Sequence, residues 1–110
     1  MSVLLIDNTA ESRFERRENG VLSFADYRRG PDRIILTHVE TEPRGQGEGM
    51  AGRLMAAIVA EASERRLKIE PRCPYAAAWF DRNPQHQGLR VEPQIPQDGT
   101  DGLAFLPPDA

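Results

Sequence analysis

Residues 33–71 read RIILTHVETEPRGQGEGMAGRLMAAIVAEASERRLKIEP, and the reading of this stretch decides the fold. Ile34-Ile35-Leu36 is a continuous apolar, β-branched run, the pattern of a strand covered on both faces, and it predicts a strand over Arg33 to Val39. From Met50 to about Arg66 the apolar residues Met50, Ala51, Leu54, Met55, Ile58 and Ala62 follow helical spacing. They predict an amphipathic helix with Arg53, Ala57, Glu61 and Glu64 on its other side. Arg65 and Arg66 close the last turn, where cations suit the helix dipole. Leu67 to Pro71 reads as a short strand. Strand, helix and strand at this length form a βαβ unit, so the second strand runs parallel to the first through a right-handed crossover.

Upstream, Val3 to Ile6 is a short apolar run, either a first strand or a docked terminus. Ser12 to Glu18 is heavily charged around Phe14, which suits an edge strand. Asn19-Gly20 then supplies the two positive φ values of a type I′ hairpin turn. Val21 to Arg28 alternates, with Val21, Ser23, Ala25 and Tyr27 on one face and Leu22, Phe24 and Asp26 on the other. Arg29-Gly30-Pro31-Asp32 is a second turn, so three strands make an antiparallel meander that feeds the βαβ unit. Downstream, Tyr75 to Arg82 predicts a short helix that starts after Pro74 and stops at Asn83-Pro84. On it, Tyr75, Trp79 and Phe80 read as core and lid residues. Beyond Arg90 the composition is too rich in Pro, Gln, Gly and Asp to sustain a packed core, although Leu103-Ala104-Phe105-Leu106 could dock on the body. The chain thus divides into a domain over residues 1–90 and an acidic tail over residues 91–110.

The 110 residues suffice for one domain with a core. No apolar run approaches the roughly 18 residues of a membrane span. The start, MSVLLIDNTA, lacks a basic segment followed by a long apolar one, so a cytoplasmic protein without membrane association is expected. One cysteine, Cys73, excludes an intramolecular disulfide and agrees with a reducing compartment. Two histidines, His38 and His86, with no cysteine cluster give no basis for a metal site. All 14 Lys and Arg lie at or before Arg90, while the tail holds Glu92, Asp98, Asp101 and Asp109 without a base. The body is therefore near neutral, has no basic stripe, and is not expected to bind nucleic acid.

Three constellations could carry chemistry. The turn Gln46-Gly47-Glu48-Gly49-Met50-Ala51 lies between a buried strand and a helix. There, unpaired N–H groups at the positive helix end suit a phosphate or pyrophosphate. Gly47 and Gly49 let the backbone approach it without a Cβ in the way, and small Ala51 lets the helix pack close to its strand. Incidental glycines in a flexible loop are the plainer alternative. Two registers fit (Gln/Arg)-x-x-Gly-x-(Gly/Ala); the one running Gln46-x-x-Gly49-x-Ala51 sets its last position on the first helical turn and is preferred over Arg44-x-x-Gly47-x-Gly49. The second constellation is Thr37-His38-Val39-Glu40 at the carboxyl end of the buried strand, where open α/β sheets bind ligands. His38 or Glu40 could take a proton from an amine, or could equally be structural and solvated. The third is Pro71-Arg72-Cys73-Pro74-Tyr75, where the helix end and Arg72 would lower a thiol pKa. A single cysteine is more often an inert small hydrophobe.

These residues also resemble a known family. HVETEPRGQGEGMAGRL, residues 38–54, resembles the His-Thr-Glu-Val-Pro-Pro … Arg-Gly-Gln-Gly-Ile-Ala segment of the small single-domain N-acetyltransferase-like proteins. That group is a minimal branch of the GCN5-related N-acetyltransferase (GNAT) superfamily. LKIEPRCPYAAAWFDRNPQ, residues 67–85, resembles the same group's Leu-Lys-Val-Val-Pro-Leu-Cys-Pro-Phe segment, and the likeness spans roughly residues 12 to 90.

The resemblance implies an acetyl-CoA cofactor with its pyrophosphate on Gln46, Gly47, Glu48, Gly49, Met50 and Ala51. Its pantetheine arm would run along Thr37, His38 and Val39, between two splayed parallel strands. Cys73 would face the thioester region. The implied reaction is direct acetyl transfer to an amine (a protein lysine, a polyamine or a small metabolite), with a route through acetylated Cys73 as the alternative. Departures from the group are Gln46 in place of Arg, Glu48 inside the phosphate turn, and Asn83 in place of His. The fold expectation is α/β (α+β), a minimal GNAT-like fold. The functional expectation is an N-acetyltransferase with catalytic candidates Cys73, His38 and Glu40; a non-catalytic CoA-binding module is the alternative.

Overall fold

A computed structural model describes residues 4–93. The order along the chain is β1 (Leu5–Asn8), β2 (Arg13–Glu18), β3 (Val21–Arg29), β4 (Arg33–Thr41), α1 (Met50–Glu64), β5 (Lys68–Pro71) and α2 (Pro74–Arg82). A single-turn 3-10 segment at Pro43–Gly45 and a longer one at Pro84–Leu89 complete it. One five-stranded sheet runs β1-β2-β3-β4-β5, antiparallel through β4 and parallel between β4 and β5. The fold is the expected mixed one, a meander feeding a βαβ unit.

The hairpin forms as its turn predicts, with Asn19 and Gly20 at φ 51° and 77°. The edge assignment is a correction: β2 is paired on both sides, and β1 takes the edge. Charge on β2 reflects its uncovered face rather than a free edge. Asn8 and Arg13 both donate to Glu15 there, and Arg13 lies 4.6 Å over the Phe24 ring.

Helix α1 starts at Gly49, whose φ of 80° turns the chain into it. It ends with Arg66 in the left-handed region, its N–H on Ser63 C=O and the Leu67 N–H on Ala62 C=O. That is the Schellman pattern, with Arg66 where glycine is usual; Arg65 and Arg66 therefore lie just past the last turn. The helix buries Met50, Leu54, Met55, Ile58, Val59 and Ala62. Val59 joins the expected set, and Ala51 is half-buried.

Both helices pack on one face of the sheet and share one core with Phe14, Ala25, Tyr27, Ile34, Leu36 and Ile69. Each fully buried Leu, Ile or Met in it stabilises the fold by roughly 1.5–3 kcal/mol relative to exposure. Tyr27 stacks 4.7 Å from Phe14 and donates to Asp7, which also pairs with Arg65 at 3.1 Å, tying β1, β3 and the end of α1 together. Burial, with the Asp7 hydrogen bond, pushes the Tyr27 hydroxyl up to about 12. Trp79 and Phe80 are buried as expected, edge-to-face at 5.3 Å. The prediction of a strand covered on both faces is only partly met: Ile34 and Leu36 are fully buried, while Ile35 on the other face is half-buried.

Strand β4 carries two irregularities, and both bear on the site. Tyr27 pairs with Leu36 but Asp26 pairs with His38, so Thr37 is an extra residue, a β-bulge. The bulge moves the side-chain alternation by one: Ile34 and Leu36 face the helices before it, and Val39 and Thr41 after it. Secondly, β5 pairs with β4 only as far as Leu36↔Pro71. Beyond that the Arg72 and Cys73 N–H groups both converge on Leu36 C=O, at 3.0 and 3.1 Å, and the strands part.

On the sheet's other face Arg33 and Glu70 form a buried pair at 3.0 Å, to which Arg72 also contributes. Arg33 additionally donates to Glu92 C=O and Val91 N–H to Ile69 C=O, which ties residues 91 and 92 to β5. The tail beyond residue 93, with the Leu103–Leu106 cluster, lies outside the described residues. Burial opposes ionisation of Glu70, but the hydrogen bonds from Arg72 and Arg33 outweigh it and hold the carboxyl below its usual range. A depressed folded-state pKa stabilises the fold above the unfolded value of about 4.3 and loses that contribution as pH falls through the folded value. Glu70→Gln should therefore melt lower than the wild type at pH 7, with the gap narrowing below about pH 4.3; melts by circular dichroism across pH 3–7 check this.

Candidate active site

The parting of β4 from β5 leaves one edge of β4 without a strand partner. Glu42 N–H bonds Leu22 C=O across to β3. Counting back by alternation, Glu40 and His38 turn their main-chain groups to β3, so Val39 and Thr41 turn theirs to the open side. A cavity of about 460 Å³ lies along this edge, lined by Val39, Glu40, Thr41, Gly45, Gly47, Gly49, Met50, Ala51 and Gly52, with Gln46 and Tyr75. Tyr75 on α2 forms the opposite wall, its hydroxyl near Gly52 of α1.

The helix end of the cavity is a set of bare donors. Gly47 and Gly49 take φ of 82° and 80°, values that only glycine adopts without strain. Arg53 N–H, on Gly49 C=O at 3.1 Å, is the first to enter the α1 ladder. Among the described residues, the N–H groups of Gly47, Gly49, Met50, Ala51 and Gly52 have no hydrogen-bond partner. Five such donors at the positive end of a helix are suited to a diphosphate. The loop is held by Arg53, which forks onto Glu18 with two bonds of 2.8 Å and donates to Glu48 C=O at 3.0 Å. This brace from the β2–β3 hairpin was not legible in the sequence, because Glu18 and Arg53 are far apart along the chain.

The remaining candidates occupy different places. Glu48 N–H is engaged by Gly45 C=O and its side chain is exposed, so this residue shapes the loop without offering a free donor. Gln46 is exposed, its N–H on Pro43 C=O and its side-chain amide donating to Thr41 C=O at 3.1 Å. Thr37, the bulged residue, is exposed with its hydroxyl donating to Asp26 C=O. His38 Nε2 lies 2.9 Å from Glu40 Oε1, both side chains about half exposed at 53%. The bulge puts this pair on the face away from the helices, beside Phe24, whose ring is 6.3 Å from that of His38. Glu40 also lines the cavity; His38 does not. Cys73 places its backbone at the apex of the parted strands, but its side chain is 5% exposed and belongs to the core. Residues that sequence reasoning did not single out for the site are Gly45, Gly52 and Thr41 in the cavity, and Glu18 and Arg53 behind it; Tyr75, read as a core or lid residue, lines the cavity.

The residues present fit the nucleotide that the resemblance implies: a glycine cradle, bare donors, and a strand edge open to an extended amide-bearing arm. Comparison with known proteins agrees. The family model for the GCN5-related N-acetyl-transferases matches residues 13–89, most of the chain. The chain belongs to this acetyltransferase family, whose acetyl donor is acetyl-CoA. No curated protein sequence matches it. The chain is similar to the NMR solution structure of a GCN5-like candidate N-acetyltransferase from Staphylococcus aureus, with 25% identity and a TM-score of 0.59, over 91% of this chain and 100% of that one. The fold is also that of a predicted acetyltransferase from Clostridium acetobutylicum, whose crystal structure was solved with acetyl-CoA. There the identity is 18% and the TM-score 0.50, over 91% of this chain and 69% of that one. Among the described residues no helix is long and apolar enough to cross a membrane.

Gly45 shows how closely the cavity floor is packed. A Cβ there would sit 2.5 Å from Met50 Sδ and 2.8 Å from Val21 Cγ1. Gly45→Ala is expected to destabilise the fold by about 1–3 kcal/mol through overpacking, measured by urea denaturation.

Proposed function

We propose that this N-acetyltransferase holds its donor along the open edge of β4 and acetylates an amine that approaches over the sheet face bearing His38 and Glu40. The five unpartnered main-chain donors at the start of α1 carry this reading. When bound, acetyl-CoA supplies the acetyl group as an activated thioester. Gly47, Gly49, Met50, Ala51 and Gly52 hold the diphosphate through their N–H groups. Gln46 and Glu48 keep the loop in shape, Gln46 by its bond to Thr41 and Glu48 by its carbonyl to Arg53. The main chain of Val39, with neighbouring Thr37 and His38, lines the path of the arm, and N–H groups on this edge stabilise negative charge that develops on oxygen there.

We assign proton removal to His38. With its Nε2–H donated to Glu40, the Nδ1 lone pair is free to accept a proton from the amine, and Glu40 supports the charge that results. Cys73 is assigned to packing, because its side chain lies in the core and does not line the cavity, which favours direct transfer over an acetyl-cysteine. We place the cofactor-binding unit within residues 1–90, with residues 91–110 as an acidic appendage. A cytoplasmic, reducing location is supported by the single unpaired thiol.

CoA at a hundredfold excess over its dissociation constant should stabilise the protein by about 2.7 kcal/mol. Gly49→Glu should abolish the thermal shift, while Gly49→Ala, which carries the same left-handed strain, should keep a measurable part of it; an unchanged shift in Gly49→Glu refutes the cradle. In an assay with lysine peptides, polyamines and small amines, His38→Ala should cut kcat by roughly 10²–10⁴-fold. Cys73→Ala should retain turnover; its complete loss, with an acetyl adduct on Cys73 of the parent protein, would establish the covalent route instead.

A further inference from the structure

Glu18 closes β2, directly across from Val21 and next to the Asn19-Gly20 turn, and its side chain is 19% exposed. Its two carboxylate oxygens each accept from Arg53 at 2.8 Å, and Arg16 pairs with the same carboxylate from within β2. Held in this fork, Arg53 Nη2 also donates to Glu48 C=O at 3.0 Å. Its Nη1 lies against Gly49, 2.9 Å from where a Cβ would stand. The guanidinium is thus pinned to the hairpin on one side and meets both Glu48 and Gly49 of the loop on the other. A second tie runs the same way: Arg44, in the segment before the loop, donates to Gly20 C=O at 3.1 Å. The glycine loop is fastened on both flanks to the tip of one hairpin.

Charge alone disfavours Glu18 at this place. A carboxylate behind a diphosphate seat repels the ligand and neutralises the one guanidinium on α1. Without it Arg53, whose side chain is 47% exposed, would be free to turn toward an anion. An exposed ion pair contributes little to folding, so the stability of the fold does not account for Glu18 either. What the pair fixes is geometry. The fork is planar and bidentate, and its remaining donor direction is taken by Glu48 C=O. Gly47 and Gly49, on either side of Glu48, hold left-handed φ values that a glycine also leaves at low cost. A turn of this kind keeps one conformation only when something outside it holds it. We infer that Glu18 is a positioning residue for the donor: through Arg53 it holds the Gly47–Gly49 turn in the conformation that leaves its N–H groups unpartnered, and this outweighs the repulsion it exerts.

This role rests on the cavity holding CoA as proposed for the site. Neither Glu18 nor Arg53 lines that cavity, so Glu18 acts through Arg53 and the loop alone.

Charge and positioning give opposite signs for Glu18→Gln, which removes a negative charge and keeps the shape. Charge alone makes the variant bind CoA more tightly. Positioning makes it bind about three- to tenfold more weakly in calorimetric titration, as the share of loops in the binding conformation falls. In turnover the loss should appear in KM for acetyl-CoA, with kcat within about twofold of wild type. Arg53→Lys keeps the positive charge without the fork and should weaken CoA by a similar factor. Because the two residues act as one unit, the double variant should lie within about twofold of the weaker single one. In the unliganded protein, hydrogen exchange at the Glu48 amide, which donates to Gly45 C=O, should quicken in Glu18→Gln. Equal or tighter CoA binding by Glu18→Gln overturns the inference, as does a loss confined to kcat. Unchanged exchange at Glu48 overturns the brace itself, whereas a wild-type protein that binds no CoA overturns the reading of the cavity.

Discussion

Beyond Leu36 the fourth strand loses its parallel neighbour, and the functional half of the molecule depends on that separation. As far as Leu36, β4 and β5 behave as any parallel pair and bury Ile34 and Ile69 under α1. Past it, one carbonyl takes both of the next two N–H groups of the departing chain, and β4 runs on for five residues with one edge bare. A sheet edge with unpaired amides invites an extended partner. Here that edge borders a cavity lined also by Tyr75 and the glycine loop.

The bulge at Thr37 divides labour across the sheet. Without it, His38 and Glu40 would lie under α1 with the core, and Val39 and Thr41 would face solvent. With it, the titratable pair occupies the open face, and Val39 and Thr41 turn to the face that carries the helices. In the proposed function, that one extra residue keeps the donor path and the proton-accepting pair on one strand but on different faces.

Charge near the loop is arranged more by pairing than by excess. Glu40, Glu42 and Glu48 stand close to the cavity, a poor setting for a diphosphate if side chains decided affinity. Yet Glu42 is occupied by the Leu22 N–H at 2.9 Å, Glu40 by His38, and Glu48 contributes only its carbonyl to Arg53. Arg53 is itself balanced by Glu18. What remains to attract an anion is the set of main-chain donors and the end of α1.

Local chemistry along the chain settled the elements and their handedness. Apolar spacing set α1, the Asn19-Gly20 pair set the hairpin, and a helix between two apolar strands required a parallel crossover. The glycine loop could be read as a phosphate seat because helix ends and φ > 0 positions are local properties. Packing between distant segments was needed to put β2 inside the sheet, because strand order depends on whether the short run before it pairs. The same packing turned His38 and Glu40 away from the helices, since a bulge is a matter of register between separate strands. Cys73 admitted two readings in sequence, a reactive thiol and an inert small hydrophobe, and its side chain is packed in the core. The Glu18–Arg53 brace is invisible along the chain because it exists only once segments far apart in sequence have met.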